Sequence, residues 1–347
     1  MTRTTDRRPP TKGRGSKPAS PGPALSIVVP CYDEEAVIGE LLRRVAAVCE
    51  AERIEDYEVI LVDDGSRDGT RTLIAQAHTR DRRVVGVFLS RNHGHQIALT
   101  AGLSYARGAR ILVLDADLQD PPELLGRMMR KMDEGYDVVY GRRVERQGET
   151  RFKKASAHLF YRALHGLIDI ELPTDTGDFR LMSRRILDIF LSMPEQDRFI
   201  RGMVSWIGLR QAAVEYGRDA RFAGETKYPL KRMLKLATDA FTGFSIKPLR
   251  IATYLGFGMA LLALLLGLRV LYGFVIGNTV PGWTSLMLVV LVIGAVQLVV
   301  IGIMGEYVGR LYMQSKSRPL FIVDRVLDAA APRETAHVVP LERRTGP

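Results

Sequence analysis

Residues 111–120 read Ile111-Leu112-Val113-Leu114-Asp115-Ala116-Asp117-Leu118-Gln119-Asp120, and this stretch decides the fold class of the chain. The four apolar residues at its start predict a buried strand. Asp115 and Asp117 follow at the carboxyl end of that strand, so a bend there can direct both carboxylates at one cation. Hard oxygen ligands of this kind suit Mg²⁺ or Mn²⁺, which in turn hold phosphates. Because ligands collect at strand ends in α/β sheets, the stretch predicts a cation site.

Short apolar runs alternate with segments of helical periodicity between residues 25 and 141. This alternation predicts an α/β fold in which helices cover a mostly parallel, Rossmann-like sheet. The predicted strands are residues 25–30, 59–62, 84–89, 111–114 and 138–140.

Acidic residues follow three of these strands. They occur in Pro30-Cys31-Tyr32-Asp33-Glu34-Glu35, in Val62-Asp63-Asp64-Gly65-Ser66-Arg67-Asp68-Gly69-Thr70, and in residues 115–120. In a doubly wound sheet these ends meet at one edge, where carboxylates can bind ribose or base groups and Tyr32 can stack on a base. Each stretch alone also fits helix capping or turn chemistry, for which Gly65 and Gly69 are suited. Three acidic strand ends in succession favour one shared site.

The charge of the chain is unevenly distributed. The net charge is +10, and residues 1–20 carry six Lys or Arg against one Asp. We expect residues 1–23 to form a disordered basic tail without a signal peptide, because they are polar and rich in Pro and Gly. Attraction to anionic lipid fits the rest of the chain better than binding of nucleic acid, which we do not expect. Cys31 and Cys49 fit two reduced, buried residues rather than a disulfide.

Two long apolar segments predict a membrane-spanning hairpin. Residues 251–268 and 284–305 contain no charged residue and are each long enough to span a bilayer. We expect transmembrane helices at 249–276 and 284–306, with Arg269 near the outer interface. Gly294, Gly302 and Gly305 in the second segment would allow close helix packing, and a homo-oligomer stays open.

The basic residues around the hairpin predict its orientation. Positive charge flanks its outer ends at Lys247, Arg250, Arg310, Lys316 and Arg318. The positive-inside rule then places both ends, the catalytic domain (residues 24–228) and a tail (307–347) in the cytoplasm. Residues 229–248 are basic and amphipathic, which predicts a segment lying in the membrane interface.

Five motifs together identify a family. They are residues 28–35, residues 62–70, residues 115–123, Asp175-Thr176-Gly177-Asp178-Phe179-Arg180-Leu181 and Gly224-Glu225-Thr226-Lys227-Tyr228. With the two apolar helices, they resemble the inverting, GT-A polyprenyl-phosphate glycosyltransferases of family 2, which include bactoprenol glucosyltransferases and dolichol-phosphate mannose synthases. The resemblance covers about residues 25–320. It implies a membrane enzyme that transfers one sugar from a nucleotide sugar to a polyprenyl phosphate at the cytoplasmic face.

The resemblance also implies roles for single residues. Contacts to the donor are implied for Pro30, Tyr32, Glu34, Asp63, Asp64 and Ala116. Asp115, Asp117 and Gln119 would hold Mg²⁺ or Mn²⁺ and the diphosphate. The metal would neutralise the charge that builds on the leaving nucleoside diphosphate.

The acceptor implied by the resemblance needs positive charge more than it needs a base. A phosphate monoester has a second pKa of about 6, so the attacking oxygen is already ionised at neutral pH. The residues that would contact this phosphate are Arg142, Arg151, Arg201, Arg221 and Lys227. Asp178 is the family's candidate base, but it could instead orient Arg180 or the acceptor site. His93 and His95 fit the start of a helix or local hydrogen bonding better than a metal pair.

The donor and two rival functions stay open at this point. UDP-glucose is the expected donor, with GDP-mannose and other UDP-sugars as alternatives. A processive polysaccharide synthase is disfavoured, because only two spans and no Gln-x-x-Arg-Trp sequence occur. A catalytically silent membrane scaffold or lipid-phosphate binder would not need the acidic set around Asp115.

Overall fold

The computed structural model of the chain describes residues 22–143, 176–217, 247–276 and 282–328. Its strands are β1 (Leu25–Cys31), β2 (Tyr57–Asp63), β3 (Val84–Leu89), β4 (Arg110–Val113), β5 (Val138–Arg143), β6 (Thr176–Ser183), β7 (Gln211–Tyr216) and β8 (Val323–Leu327). Its helices are α1 (Ile38–Ala51), α2 (Thr70–Arg80), α3 (His95–Tyr105), α4 (Leu125–Asp133), α5 (Arg184–Ser192), α6 (Ile200–Ile207), α7 (Lys247–Val275) and α8 (Trp283–Ser315). Several predictions concern residues outside this part of the chain: most of the basic tail, the interfacial segment, Arg151, Arg221 and Lys227.

All eight strands form one sheet, in the order β7-β5-β6-β4-β1-β2-β3-β8. The neighbouring strands β4, β1, β2 and β3 run parallel, and β7 runs parallel to β5. β6 is antiparallel to β4 and β5, and β8 is antiparallel to β3. The predicted α/β fold with a mostly parallel sheet is therefore confirmed, and the five predicted strands are β1 to β5.

Helices cover both faces of this sheet, which explains why its central strands are apolar throughout. Successive residues of β1 and β4 alternate between two cores. Val29 and Leu112 lie in one core with α1 and α4, while Val28 and Ile111 lie in the other with α3, α5 and α6. Period-two alternation of side chains across a strand requires this arrangement when both faces are buried.

α7 and α8 contact each other and are long and apolar enough to cross a membrane. Only 6% of the window Ala252–Arg269 and 0% of the window Val292–Ser315 are buried by protein, so neither is the core helix of a soluble domain. A Cβ atom at Gly294, Gly302 or Gly305 would meet nothing within 4 Å. These glycines therefore do not mediate close packing between α7 and α8.

The second long helix extends beyond the predicted span (284–306) into residues that were predicted to form a tail (307–347). α8 continues past residue 306 to Ser315, and β8 then pairs with β3 at the edge of the sheet. Leu320 and Phe321 are buried in the same core as α3, α5 and α6. Glu306 and Arg310 therefore lie within this helix, beyond the uncharged stretch 284–305. The catalytic domain therefore includes the end of the described chain.

Candidate active site

The acidic strand ends meet at one edge of the sheet, as predicted. Cys31 lies opposite Asp63 in the register of β1 and β2. The N–H of Asp64 donates to Cys31 O at 2.9 Å, and the N–H of Leu114 donates to Val28 O at 3.1 Å. The loops that follow β1, β2 and β4 therefore start side by side.

Part of the acidic set serves turn chemistry, the alternative that the sequence left open. Asp33 N donates to Ser66 Oγ at 3.0 Å, and Arg67 N donates to Asp33 Oδ1 at 2.7 Å. Glu35 Oε2 accepts the N–H of Gly69 at 2.6 Å. These bonds fasten the loop after β1 to the loop after β2. They leave Tyr32, which is 39% exposed, at the surface of the joined loops.

The other donor residues lie at the same edge. Pro30 is buried opposite Val62, and Glu34 is half-buried, its N–H donating to Thr70 Oγ1 at 2.9 Å. Pro30, Tyr32 and Glu34 are thus positioned for the predicted donor contacts, which stay a prediction.

Asp63 and Asp64 are both buried and both orient the surrounding loops. Asp63 lies 2.8 Å from the Nε of Arg71. The Asp64 carboxylate accepts the N–H groups of His93 at 2.7 Å and Gly94 at 2.9 Å. Burial raises the pKa of Asp64 despite these bonds. Asp64 therefore fixes the start of α3 relative to β2, whatever part of a donor it also contacts.

The loop after β4 has an unusual backbone. Leu118 adopts φ = 58°, although it is neither Gly nor Asn, and its side chain is buried. Such a conformation costs on the order of 1–3 kcal/mol and persists only where the surroundings enforce it. Gln119 N donates to Asp117 Oδ1 at 3.1 Å. Below the loop, buried Asp120 pairs with Arg143 at 3.2 Å and accepts the Tyr216 hydroxyl.

The residues around Asp115 fit a divalent cation. Its Oδ1 atom is buried and accepts no hydrogen bond among the described residues. Burial, together with the charges of Asp178, Asp120 and Asp117, raises the pKa of Asp115 to about 6 although His95 opposes the shift. A cation bound here would relieve this repulsion.

The described residues do not form a complete metal cage. No three His, Cys, Asp or Glu side chains among them converge as a ligand group. Asp115 and Asp117, with the Gln119 amide, would supply a partial set and leave positions for phosphate oxygens. Mg²⁺ sites in proteins commonly have this composition.

His93 and His95 contact different acidic residues. His93 donates its backbone N–H to Asp64. His95 opens α3, and its Nε2 lies 3.1 Å from Asp178 Oδ2 and 3.5 Å from Asp115 Oδ1. Burial opposes protonation, but the hydrogen bond to Asp178 and the charge of Asp115 raise the pKa of His95 to about 9. His95 thus starts a helix, as predicted, but the hydrogen bonds of both histidines join them to distant parts of the chain rather than to local partners.

β6 brings Asp178 to the acidic loop. β6 pairs antiparallel with β4, with Arg180 opposite Val113. Continuing this register places Asp178 level with Asp115. Local sequence patterns did not indicate that β6 is a strand. They also could not predict that His95 and Gln96 contact Asp178, because these partners lie 83 and 82 residues apart in the chain.

Asp178 is surrounded by hydrogen-bond donors and cations. Gln96 Nε2 donates to Asp178 Oδ2 at 2.8 Å, and the guanidinium groups of Arg180 and Arg201 each lie 3.7 Å from Oδ1. Burial alone would raise the pKa of Asp178, but His95, Arg201 and Arg180 together hold it well below its usual range. Burial also lowers the pKa of Arg180 to about 10. An ionised carboxylate with so low a pKa is a poor proton acceptor at neutral pH.

Two predicted phosphate contacts can be placed. Arg201, at the start of α6, reaches Asp178 as described above. Arg142 lies on β5 and forms an ion pair with Glu215 on β7. The structure thus brings Arg201 to the Asp178 cluster, while the described ion pair of Arg142 lies at the β5–β7 edge.

The sequence matches two known families, one for each half of this architecture. Residues 26–190 match "Glycosyl transferase family 2", and residues 247–311 match "GtrB C-terminal hairpin". The first match contains β1 to β6 with all the acidic loops. The second contains α7 and most of α8.

Curated relatives match over nearly the whole chain. The "Uncharacterized glycosyltransferase YkcC" of Bacillus subtilis (strain 168) is 50% identical over 307 residues, which cover 86% of this chain and 93% of the relative. The "Prophage bactoprenol glucosyl transferase homolog" of Escherichia coli (strain K12) is 38% identical, covering 87% and 99%. The "Bactoprenol glucosyl transferase" of Shigella phage SfV is 37% identical, covering 86% and 97%. The chain therefore belongs to glycosyltransferase family 2 and is a glycosyltransferase with a GT-A-type sheet.

Proposed function

We propose that this enzyme transfers a single glucose from UDP-glucose to a polyprenyl monophosphate, with inversion, at the cytoplasmic face of a membrane. The observation that carries the proposal is the contact between an acidic, cation-compatible loop and a cationic cluster through His95, which lies between Asp115 and Asp178. The relatives named bactoprenol glucosyl transferase support glucose and a polyprenyl acceptor. GDP-mannose and other UDP-sugars are the alternative donors.

The donor would occupy the edge formed by the loops after β1, β2 and β4. Tyr32 is exposed enough to stack on a base, and the buried Asp63 and Asp64 would lie beneath the bound nucleoside. Asp115, Asp117 and Gln119 would hold Mg²⁺ or Mn²⁺ together with the diphosphate. When bound, the cation would stabilise negative charge on the departing nucleoside diphosphate. The protein would contribute by holding these oxygen ligands in a fixed loop that Asp120 anchors.

The acceptor phosphate would approach from the side of Asp178. One of its oxygens would form the new bond to the anomeric carbon as the bond from that carbon to the diphosphate breaks. The nucleophilic oxygen is ionised near neutral pH, so this single displacement requires no proton acceptor. Asp178 is already engaged by His95, Gln96, Arg180 and Arg201. We assign Asp178 to positioning these groups around the phosphate rather than to removing a proton.

The hairpin would hold the enzyme where its lipid acceptor resides. α8 leads directly into β8, so the end of the second span and the catalytic sheet lie on the same side of the hairpin. A cytoplasmic catalytic domain with both ends of the hairpin inside agrees with the basic flanks of the spans.

Formation of a lipid-linked monosaccharide by the purified, full-length protein tests the proposal. Radiolabelled UDP-glucose and undecaprenyl phosphate are supplied with Mn²⁺, with Mg²⁺ or with EDTA, and UDP-galactose and GDP-mannose serve as donor controls. We expect a chloroform-soluble glucolipid that requires a divalent cation. A water-soluble polymer would instead indicate a processive synthase, and no product with any donor would indicate a scaffold.

A further inference from the structure

The loop between α5 and α6, residues 193–199, is attached to the membrane hairpin. Gln314 of α8 accepts the N–H of Gln196 at 2.9 Å and donates to Pro194 O at 2.7 Å. One helical turn earlier, Arg310 forms an ion pair with Asp197 at 2.8 Å. Because residues four apart share one helix face, Arg310 and Gln314 bind this loop from the same face of α8.

The other end of the same loop is attached to the Asp178 cluster. Ile200 N donates to Gln96 Oε1 at 2.9 Å, and Gln96 Nε2 donates to Asp178 Oδ2 at 2.8 Å. The chemistry fixes the orientation of this amide, because a backbone N–H can only donate and an ionised carboxylate can only accept. Gln96 therefore joins the first residue of α6 to Asp178. The next residue, Arg201, faces the other oxygen of that carboxylate.

The loop is also braced internally, which makes it a suitable link between its two ends. The buried Arg198 donates to Phe190 O at 3.2 Å and to Met193 O at 2.6 Å, tying the loop to the end of α5. Ile200, Met203 and Val204 anchor α6 in the core. A close-packed interior of this kind transmits displacement instead of absorbing it.

We propose that Gln96 is a positioning residue for the acceptor phosphate. Through the 193–199 loop, the end of α8 then determines the position of Arg201 relative to Asp178. Gln96 holds the loop on the site side, and Arg310 and Gln314 hold it on the membrane side. This inference rests on the proposed polyprenyl phosphate acceptor and deepens it: the position of the hairpin determines the geometry of the phosphate site. We expect a smaller effect on the donor side, which is built on the loops after β1, β2 and β4 and makes no direct contact with the 193–199 loop in the bonds named above.

Steady-state kinetics of full-length variants in lipid nanodiscs test the link. Gln96→Met removes the two hydrogen bonds that the Gln96 side-chain amide makes to Ile200 and Asp178. Gln314→Ala removes the two hydrogen bonds that Gln314 makes to the loop. We expect each to raise the KM for undecaprenyl phosphate about tenfold, as for lost bonds to a charged or buried partner, with the KM for UDP-glucose changed less than twofold. Gln96→Glu keeps an acceptor for Ile200 N–H but places a second carboxylate against Asp178, so its effect should be larger. The control is Arg43→Ala, which removes an exposed ion pair with Glu40 on α1.

A double-mutant cycle separates a shared link from two local effects. If Gln96 and Gln314 act through one loop, the combined variant should raise the acceptor KM by clearly less than the product of the single effects. Strictly multiplicative effects would contradict the link. An unchanged acceptor KM in Gln96→Met, or a parallel loss of UDP binding by calorimetry, would overturn the positioning role.

Acceptor binding measured without turnover separates this inference from the proposed function. Native mass spectrometry compares the binding of undecaprenyl phosphate with that of undecaprenol to wild type and Gln96→Met. Phosphate-dependent binding that weakens in the variant supports the inference even if wild type transfers no glucose. Equal binding of undecaprenyl phosphate to wild type and Gln96→Met would contradict the inference even if wild type is an active glucosyltransferase.

Discussion

Asp120 is the residue on which the shape of the acidic loop depends. It is buried, and its carboxylate is held by Arg143 and by the hydroxyl of Tyr216. Two residues before it, Leu118 is kept in a left-handed conformation that a leucine rarely adopts. Gln119 lies between these two residues and Asp117 directly precedes Leu118, so the loop that carries both predicted metal ligands is held in shape without a donor.

Tyr216→Phe tests this anchor. The change removes one hydroxyl and leaves the buried Asp120 with fewer partners, which should cost about 1.5–3 kcal/mol of folding stability. We expect a lower Tm in thermal unfolding and a raised KM for the donor. The matched control is Tyr254→Phe, at a 71% exposed position on α7. An unchanged Tm in Tyr216→Phe would contradict the anchoring role.

Asp115→Asn and Asp117→Asn test the cation site. Each replaces a negative ligand by a neutral one of the same shape, so glucose transfer should fall by about 100-fold or more. Membrane insertion, measured by resistance to carbonate extraction, should not change. Retained activity in both variants would overturn the assignment of the metal ligands.

Asp178→Asn distinguishes a positioning role from a general base. We expect a higher KM for the polyprenyl phosphate, because the Asn side chain loses its charge interaction with Arg201 and Arg180. Turnover at saturating acceptor should stay within about tenfold of wild type, well short of the loss of up to 10⁴-fold that removal of a general base can cause. A kcat reduced by several orders of magnitude would restore the general-base interpretation.

Residue types and strand ends predicted the acidic half of the candidate site. Asp115 and Asp117 stand out because carboxylates follow directly after an apolar run. No local sequence pattern distinguishes His95 and Gln96, because they contact Asp178 only where α3 meets β6 in the folded chain. Contacts between distant segments of the chain depend on topology, which the local pattern does not encode.

At the scale of elements, β8 ties the C-terminal end of α8 to the donor side of the sheet. Arg71 on α2 lies 2.8 Å from Asp63 and 3.4 Å from Asp324 on β8. Phe321, just before β8, is fully buried in the core with α3 and α5. β8 therefore completes the sheet next to residues that are implicated in donor binding.

Phe321→Ala tests the contribution of this returning segment. Truncating a buried phenylalanine typically costs about 3–5 kcal/mol, so we expect a clear loss in Tm. The neighbouring Ile322→Ala, at a position that is 37% exposed, is the matched control and should cost less than about 1 kcal/mol. Equal losses in both variants would indicate that β8 is not docked as described.

Strands with continuous apolar runs could be predicted, and the three others could not. β1 to β5 each contain such a run, which is why they could be predicted. β6 contains the buried, charged Asp178 and Arg180. Their burial is possible because they pair with each other and because further cations surround Asp178, and neither contact can be read from the sequence. β8 is short, carries Asp324 and Arg325, and follows a helix that continues beyond its apolar part.

At the scale of the whole molecule, the structure ties a two-helix hairpin to a catalytic sheet. Cysteine labelling checks its orientation. Burial raises the pKa of Cys49 to about 11 and that of Cys31 well above its ordinary value, so the native thiols should react slowly. A membrane-impermeant maleimide should label Asn278→Cys in intact cells, and Ser317→Cys only after the membrane is permeabilised. The reverse pattern would invert the proposed topology.

The return of the chain into the sheet has a consequence for biogenesis. Domains generally begin to fold from the N-terminus while synthesis continues. β8, however, leaves the ribosome only after both apolar helices have been made. Until then the edge of β3 has no partner strand, and the pocket that receives Phe321 has no occupant. The catalytic sheet can therefore be completed only after both apolar helices have been synthesised, so its last strand is the last part of the fold to dock.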